Sequence, residues 1–224
     1  MSGNTWKPLK GTNSNRQFTW VTAAPVRQIV NSEELRQIAR AMKQSIAAYD
    51  KGGYSTSDGD GNFLQDVDDW NDRVEDAQII LGLIIQSGCS DCNIVYDVLG
   101  VTVGIICVMN SDPAEVDWLV SHPGVDGSGG TLIELACDWS ESNGHGGRLT
   151  LSSFGKKSTA AYRSLGFTKD DGDYESAGKM TLNPVGNPVW THTGQNWKLA
   201  KHVAKGYYST RTKPLPVPRG VGQL

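Results

Sequence analysis

The stretch from Glu115 to Phe167 constrains the fold of this chain more than any other. A short apolar run, Val116 to Val120, passes into His122-Pro123. A glycine cluster follows at Gly124, Gly127, Gly129 and Gly130, and an apolar segment of helical character begins near Leu132. That order reads as strand, tight turn, helix. Glycines at such a turn let backbone N–H groups converge on a ligand, and the start of a helix adds a field favourable to phosphate. The stretch is therefore an anion cradle.

The rest of the chain limits what can surround it. With 224 residues, 38% apolar and 20% charged, it is long enough for one well-buried domain with arms. The net charge of −3 gives no overall bias toward nucleic acid. The sequence has no apolar run of membrane-spanning length and no basic-then-apolar leader pattern, so the expected location is cytoplasmic, with no membrane partner. Cys89 and Cys92 form a CSDC pair, but no second pair or well-spaced histidine completes a zinc set. Cys107 and Cys137 lie in apolar runs and read as core thiols. The DGDGN segment places Asp58, Asp60 and Asn62 at alternating positions, yet lacks the closing glutamate of a calcium loop. No metal is expected.

Taken in order, residues 1–16 read as an arm and Gln17 to Ala23 as a strand. Asn31 or Ser32 caps a helix whose face is Leu35, Ile38, Ala39, Met42, Ile46 and Tyr49. Residues 54–72 are polar and acidic, with a short helical turn possible around Phe63 to Trp70, and Arg73 to Gln86 is ambiguous between helix and strand. Asn93 to Tyr96 and Val101 to Met109 form a hairpin, the second strand apolar enough for a central position. The next strand is Glu115 to Ser121. A helix over Thr131 to Glu141, a strand at Arg148 to Ser152, a helix over Lys156 to Leu165 ended by Gly166, and strands from Phe167 and at Lys179 to Leu182 follow. The basic segment 184–224, with Trp190, Trp197 and the Pro214, Pro216, Pro218 run, reads as an extension, packed on the domain or irregular, with one helix possible from Trp197 to Tyr208.

Two motifs in this order resemble the GCN5-related N-acetyltransferase superfamily. The turn Gly124-Val125-Asp126-Gly127-Ser128-Gly129, then Gly130, is similar to the family's pyrophosphate loop Q/R-x-x-G-x-G/A, departing from it at Gly124. The segment Ala160-Ala161-Tyr162-Arg163-Ser164-Leu165-Gly166-Phe167 is similar to the family's alanine-rich helix ending Y-x-x-L-G-F. The likeness spans Val101 to Leu182 and covers less than half of the chain well.

The resemblance implies an α+β domain over residues 17–183: a mixed, twisted sheet of about six to seven strands, flanked by helices and containing a splayed pair of strands. It implies acetyl-CoA as cofactor. The pyrophosphate would meet Gly124, Gly127, Ser128, Gly129 and Gly130, and the backbone of Leu119 and Ser121 would align the pantetheine arm. Tyr162 would be the general acid for the departing sulfur, with Glu115 or Asp117 as general base on one strand face. His122 and His145 are packing or solvated residues on this reading. The acceptor would be an amine, either a small cation or a protein amine, attacking the thioester directly, in a monomer or homodimer. The acidic segment Asp58 to Asp72 would suit a cationic amine, or serve solubility alone. Two other readings stay open: a catalytically degenerate module that binds coenzyme A or a protein, and, ranked last, a nucleotide-binding protein lacking the Gly-Lys-Ser/Thr ending of a P-loop.

Overall fold

The computed structural model describes residues 26–51, 64–88, 90–98, 100–123 and 127–204. The strand expected at residues 17–23, the Asp58–Asn62 segment, Cys89, Gly124 and the Pro214–Pro218 run lie outside the described residues. A single sheet of six strands runs in chain order, from β1 (Val26–Gln28) through β2 (Cys92–Val98), β3 (Val101–Met109), β4 (Ala114–Ser121) and β5 (Leu149–Ser153) to β6 (Gly178–Leu182). Every neighbouring pair is antiparallel except β4 and β5, which are parallel. The mixed sheet flanked by helices is the fold class the sequence implied.

On one face lie α1 (Ser32–Lys51) and α2 (Leu64–Ser87). Asn31 caps α1, its Oδ1 accepting from the Glu33 and Glu34 amides at 2.8 and 3.1 Å. Leu35, Ala39, Met42 and Ile46 then pack against Ala77, Leu81 and Ile84 of α2 and against Val95, Ile105, Cys107 and Val120 of the sheet. The segment that read ambiguously is helical. Its buried stripe is Ala77, Leu81 and Ile84, at helical spacing, while Ile79 stays exposed.

The opposite face carries α3 (Ser128–Ser142) and α4 (Lys156–Ser164). Leu132, Ile133, Ala136 and Cys137 of α3 meet Ile94, Ile106, Val116, Leu151 and Phe167 there. Gly104 on β3 makes the fit possible: a Cβ at this position would stand 2.6 Å from Leu132 Cδ1. Burial pushes the Cys92 thiol up to about 11 and the Cys137 thiol well above its usual value, so both are inert core groups.

Two expectations need correcting. Phe167 does not begin a strand; only an isolated bridge joins Thr168 to Thr181. The segment from Trp197 starts as a strand rather than a helix: β7 (Trp190–His192) and β8 (Trp197–Leu199) form a separate two-stranded sheet that leads into α5 (Ala200–Ala204). Carboxylates of α3 hold the backbone of β8 extended, which overrides the local helical pattern.

Candidate functional site

The parallel pairing of β4 and β5 stops early. Ala114, Glu115 and Val116 pair with Leu149, Thr150 and Leu151, and from Asp117 to Ser121 the strand has no partner in β5. The two strands part at the end where the glycine turn leaves β4 and where α4 follows β5. This is the splayed pair the sequence implied. Beyond Val116, the edge of β4 toward β5 carries backbone groups that no strand of the sheet satisfies, which suits an extended ligand arm.

A bulge shapes the same strand. Cys107 pairs with Trp118 and Val108 with Val116, so Asp117 is the extra residue on β4. The bulge breaks the period of two. Val116 and Leu119 belong to the α3 side, whereas Trp118 and Val120 pack with α1 and α2. Glu115 and Asp117 are half-buried. Asp117 Oδ2 accepts from Ser90 Oγ at 2.9 Å, and Trp118 Nε1 is buried with no acceptor among the described residues. Ser90 was not evident as a site residue, because only the fold brings the residues before β2 beside β4.

On the α3 side, Gly127 stands at the helix start with φ +82° and ψ −9°, a left-handed conformation that disfavours a side chain. Its carbonyl accepts from the Thr131 amide at 3.2 Å, among the described residues no side chain caps the helix, and the first helical turn carries no acidic residue. That start is electrostatically open to an anion. Gly129 and Gly130 have a further reason to be glycine. A Cβ on Gly129 would stand 3.2 Å from Ser121 Oγ, and one on Gly130 would stand 3.0 Å from Leu199 Cδ1 and 3.3 Å from His202 Cε1. The structure thus brings Ser121, Ser128, Gly129 and Gly130 together where β4 ends, with Leu119 two residues upstream on the same face.

Tyr162 lies on α4, half-buried against the α3-side core, with its ring centroid 5.7 Å from that of Phe167. Burial pushes its hydroxyl up to about 12, and among the described residues that hydroxyl makes no hydrogen bond. The helix is fixed to the parted end of β5 by Thr159 Oγ1, which donates to Ser153 Oγ at 2.7 Å. His122, 3% exposed, is held near pKa 4 by desolvation, so it is neutral at physiological pH. His145 sits by Asn110 and Asp112 in the loop after α3, away from the parted strands. A groove of about 420 Å³ near the end of α4, walled by Arg163, Tyr174, Asn183 and Asn187, shares none of the candidate residues.

No family model and no curated protein matches this chain. Solved structures do. The PaiA N-acetyltransferase of Thermoplasma acidophilum, solved with coenzyme A, is 17% identical, with a TM-score of 0.42 over 71% of this chain and 99% of that one. Mutant forms of the spermidine/spermine N-acetyltransferase SpeG of Vibrio cholerae are 18% identical, with a TM-score of 0.38 over 70% and 93%. A GNAT-family acetyltransferase of Streptococcus pneumoniae gives 18%, 0.39, 70% and 97%.

Proposed function

We propose that the chain is an acetyl-CoA-dependent N-acetyltransferase acting on an amine. The observation that carries this reading is the parting of β4 from β5 after Val116, flanked by the uncapped start of α3 on one side and the Tyr162 ring of α4 on the other. An extended thiol arm would add to the free edge of β4 at Leu119 and Ser121, and its pyrophosphate would meet Gly127, Ser128, Gly129 and Gly130, with Gly124 completing the turn. The residues present fit such a cofactor: among the described residues no side chain caps the start of α3, and its first turn carries no acidic residue. Bound there, acetyl-CoA would supply an activated acyl group.

The acceptor would approach from the α1–α2 face, where Asp117 and Glu115 would meet it. Asp117, held by Ser90, is the better placed carboxylate to take the ammonium proton, directly or through water. Tyr162, protonated well past neutrality, would return a proton to the leaving sulfur. The attacking amine and the thioester are held together in one gap, so orientation supplies much of the rate.

The test is transfer itself. The full chain is incubated with isotopically labelled acetyl-CoA and a mixed amine and protein extract, and the products are read by mass spectrometry. Labelled N-acetyl products are expected, and replacing Tyr162 by Phe should lower kcat about 10²-fold while leaving the KM for acetyl-CoA unchanged. No labelled product with any amine pool would favour a coenzyme A-binding module without catalysis.

A further inference from the structure

No lysine or arginine stands between Arg73 and Arg148. Strands β2 to β4 and helix α3 therefore bring no cation to the start of α3. From Pro184 to Leu224 the pattern reverses: Lys198, Lys201, Lys205, Arg211, Lys213 and Arg219 occur with no Asp or Glu. The structure carries the beginning of this basic segment to the first turn of α3. Leu199 and His202 lie directly over Gly130, in the first turn of α3.

Two carboxylates hold the segment in place. Glu134, fully buried on α3, accepts from the Leu199 amide and from His202 Nδ1, each at 2.8 Å, and lies 3.5 Å from Lys198 Nζ. One helical turn on, Asp138 accepts from the Trp197 amide at 2.6 Å and from Asn196 Nδ2 at 3.0 Å. Trp190 and Trp197 close into the same core as α3, and Trp190 Nε1 donates to the Leu165 carbonyl at 2.8 Å. The β7–β8–α5 unit is thus a strap that runs along α3 from Gly130 to Glu141 and reaches the end of α4. Its Lys198 faces Glu134. Its Lys201, one residue before His202, is exposed and makes no ion pair among the described residues.

We infer that this strap is the cationic wall of the cofactor site, with Lys201 as the residue that attracts the phosphates of a coenzyme A thioester. The inference rests on the cofactor reading proposed above. It gives the basic segment a role that the acetyl-transfer chemistry leaves open, and it supplies the charge that Gly124 does not.

The test is calorimetric titration of coenzyme A into the full chain, comparing the wild type with Lys201→Glu and with Arg40→Glu, an equal charge change on the α1 face. Lys201→Glu should weaken binding roughly fivefold or more, with the difference shrinking at high salt, and Arg40→Glu should stay within about twofold of wild type. If Lys201→Glu binds like wild type, or if both variants weaken equally, the strap inference fails and the cofactor reading stands. If the wild type itself does not bind coenzyme A, both fail.

Discussion

His122 shows how one buried ring ties stability to pH. Its imidazole is 3% exposed and neutral, with a folded pKa near 4 against an ordinary value of 6.5. A lowered folded pKa means the unfolded chain binds the proton more readily. The contribution is therefore complete above about pH 6.5 and is lost as pH falls toward 4. The loss amounts to about 3 kcal/mol if desolvation persists. Denaturant unfolding of the wild type across pH 7 to 4 should show this decline, and His122→Gln should flatten it. Gly127 makes a second residue-scale prediction. Its φ of +82° is unfavourable for any L side chain, so Gly127→Ala should cost about 1–2 kcal/mol in the same measurement.

At the scale of elements, the bulge in β4 and the docking of β8 carry the site. The bulge sets Asp117 beside Trp118, which packs with α1 and α2, and leaves Leu119 on the α3 side, so on the proposed reading one strand would serve an acceptor side and a cofactor side. Ser90 fixes the Asp117 carboxylate, and Ser90→Ala should lower kcat several-fold with little change in the KM for acetyl-CoA, as measured by steady-state transfer. The docking of β8 depends on Glu134. Replacing it by Ala removes the acceptor for Leu199 and His202 and leaves the buried partners unmatched, at a cost of about 3–5 kcal/mol. Limited proteolysis should then cut between residues 190 and 204, where the wild type resists.

These elements also show how far the sequence could be read. The β2–β3 hairpin, α3, β5, α4 and β6 were legible because their apolar periods are intact and their ends are marked by Gly, Pro or Asn, and β4 because its apolar run lies between Pro113 and Pro123. The parted strands followed from the resemblance carried by the glycine turn and the Tyr162–Phe167 ending. The Asp117 bulge was not legible, since a single extra residue leaves no compositional trace. The β7–β8 pair was missed because Trp197 to Ala204 has helical spacing, and only contact with Glu134 and Asp138 keeps its first residues extended. A buried carboxylate on an otherwise apolar helix was the available signal: Glu134, beside Leu132 and Ile133, required a donor from elsewhere in the chain.

Across the whole molecule, the sheet separates two chemistries. On the proposed reading the α1–α2 face presents carboxylates beside the parted strands. The α3–α4 face presents the start of α3, where β8 and α5 pack on Gly130. No described helix is long and apolar enough to cross a membrane. The central claim is that the gap between β4 and β5 holds a coenzyme A thioester, and hydrogen–deuterium exchange of the full chain with and without coenzyme A tests it most directly. The account predicts slowed exchange at residues 118–121 of β4 and at 128–131 of α3 on saturation. Unchanged exchange in both segments at saturating coenzyme A would contradict it.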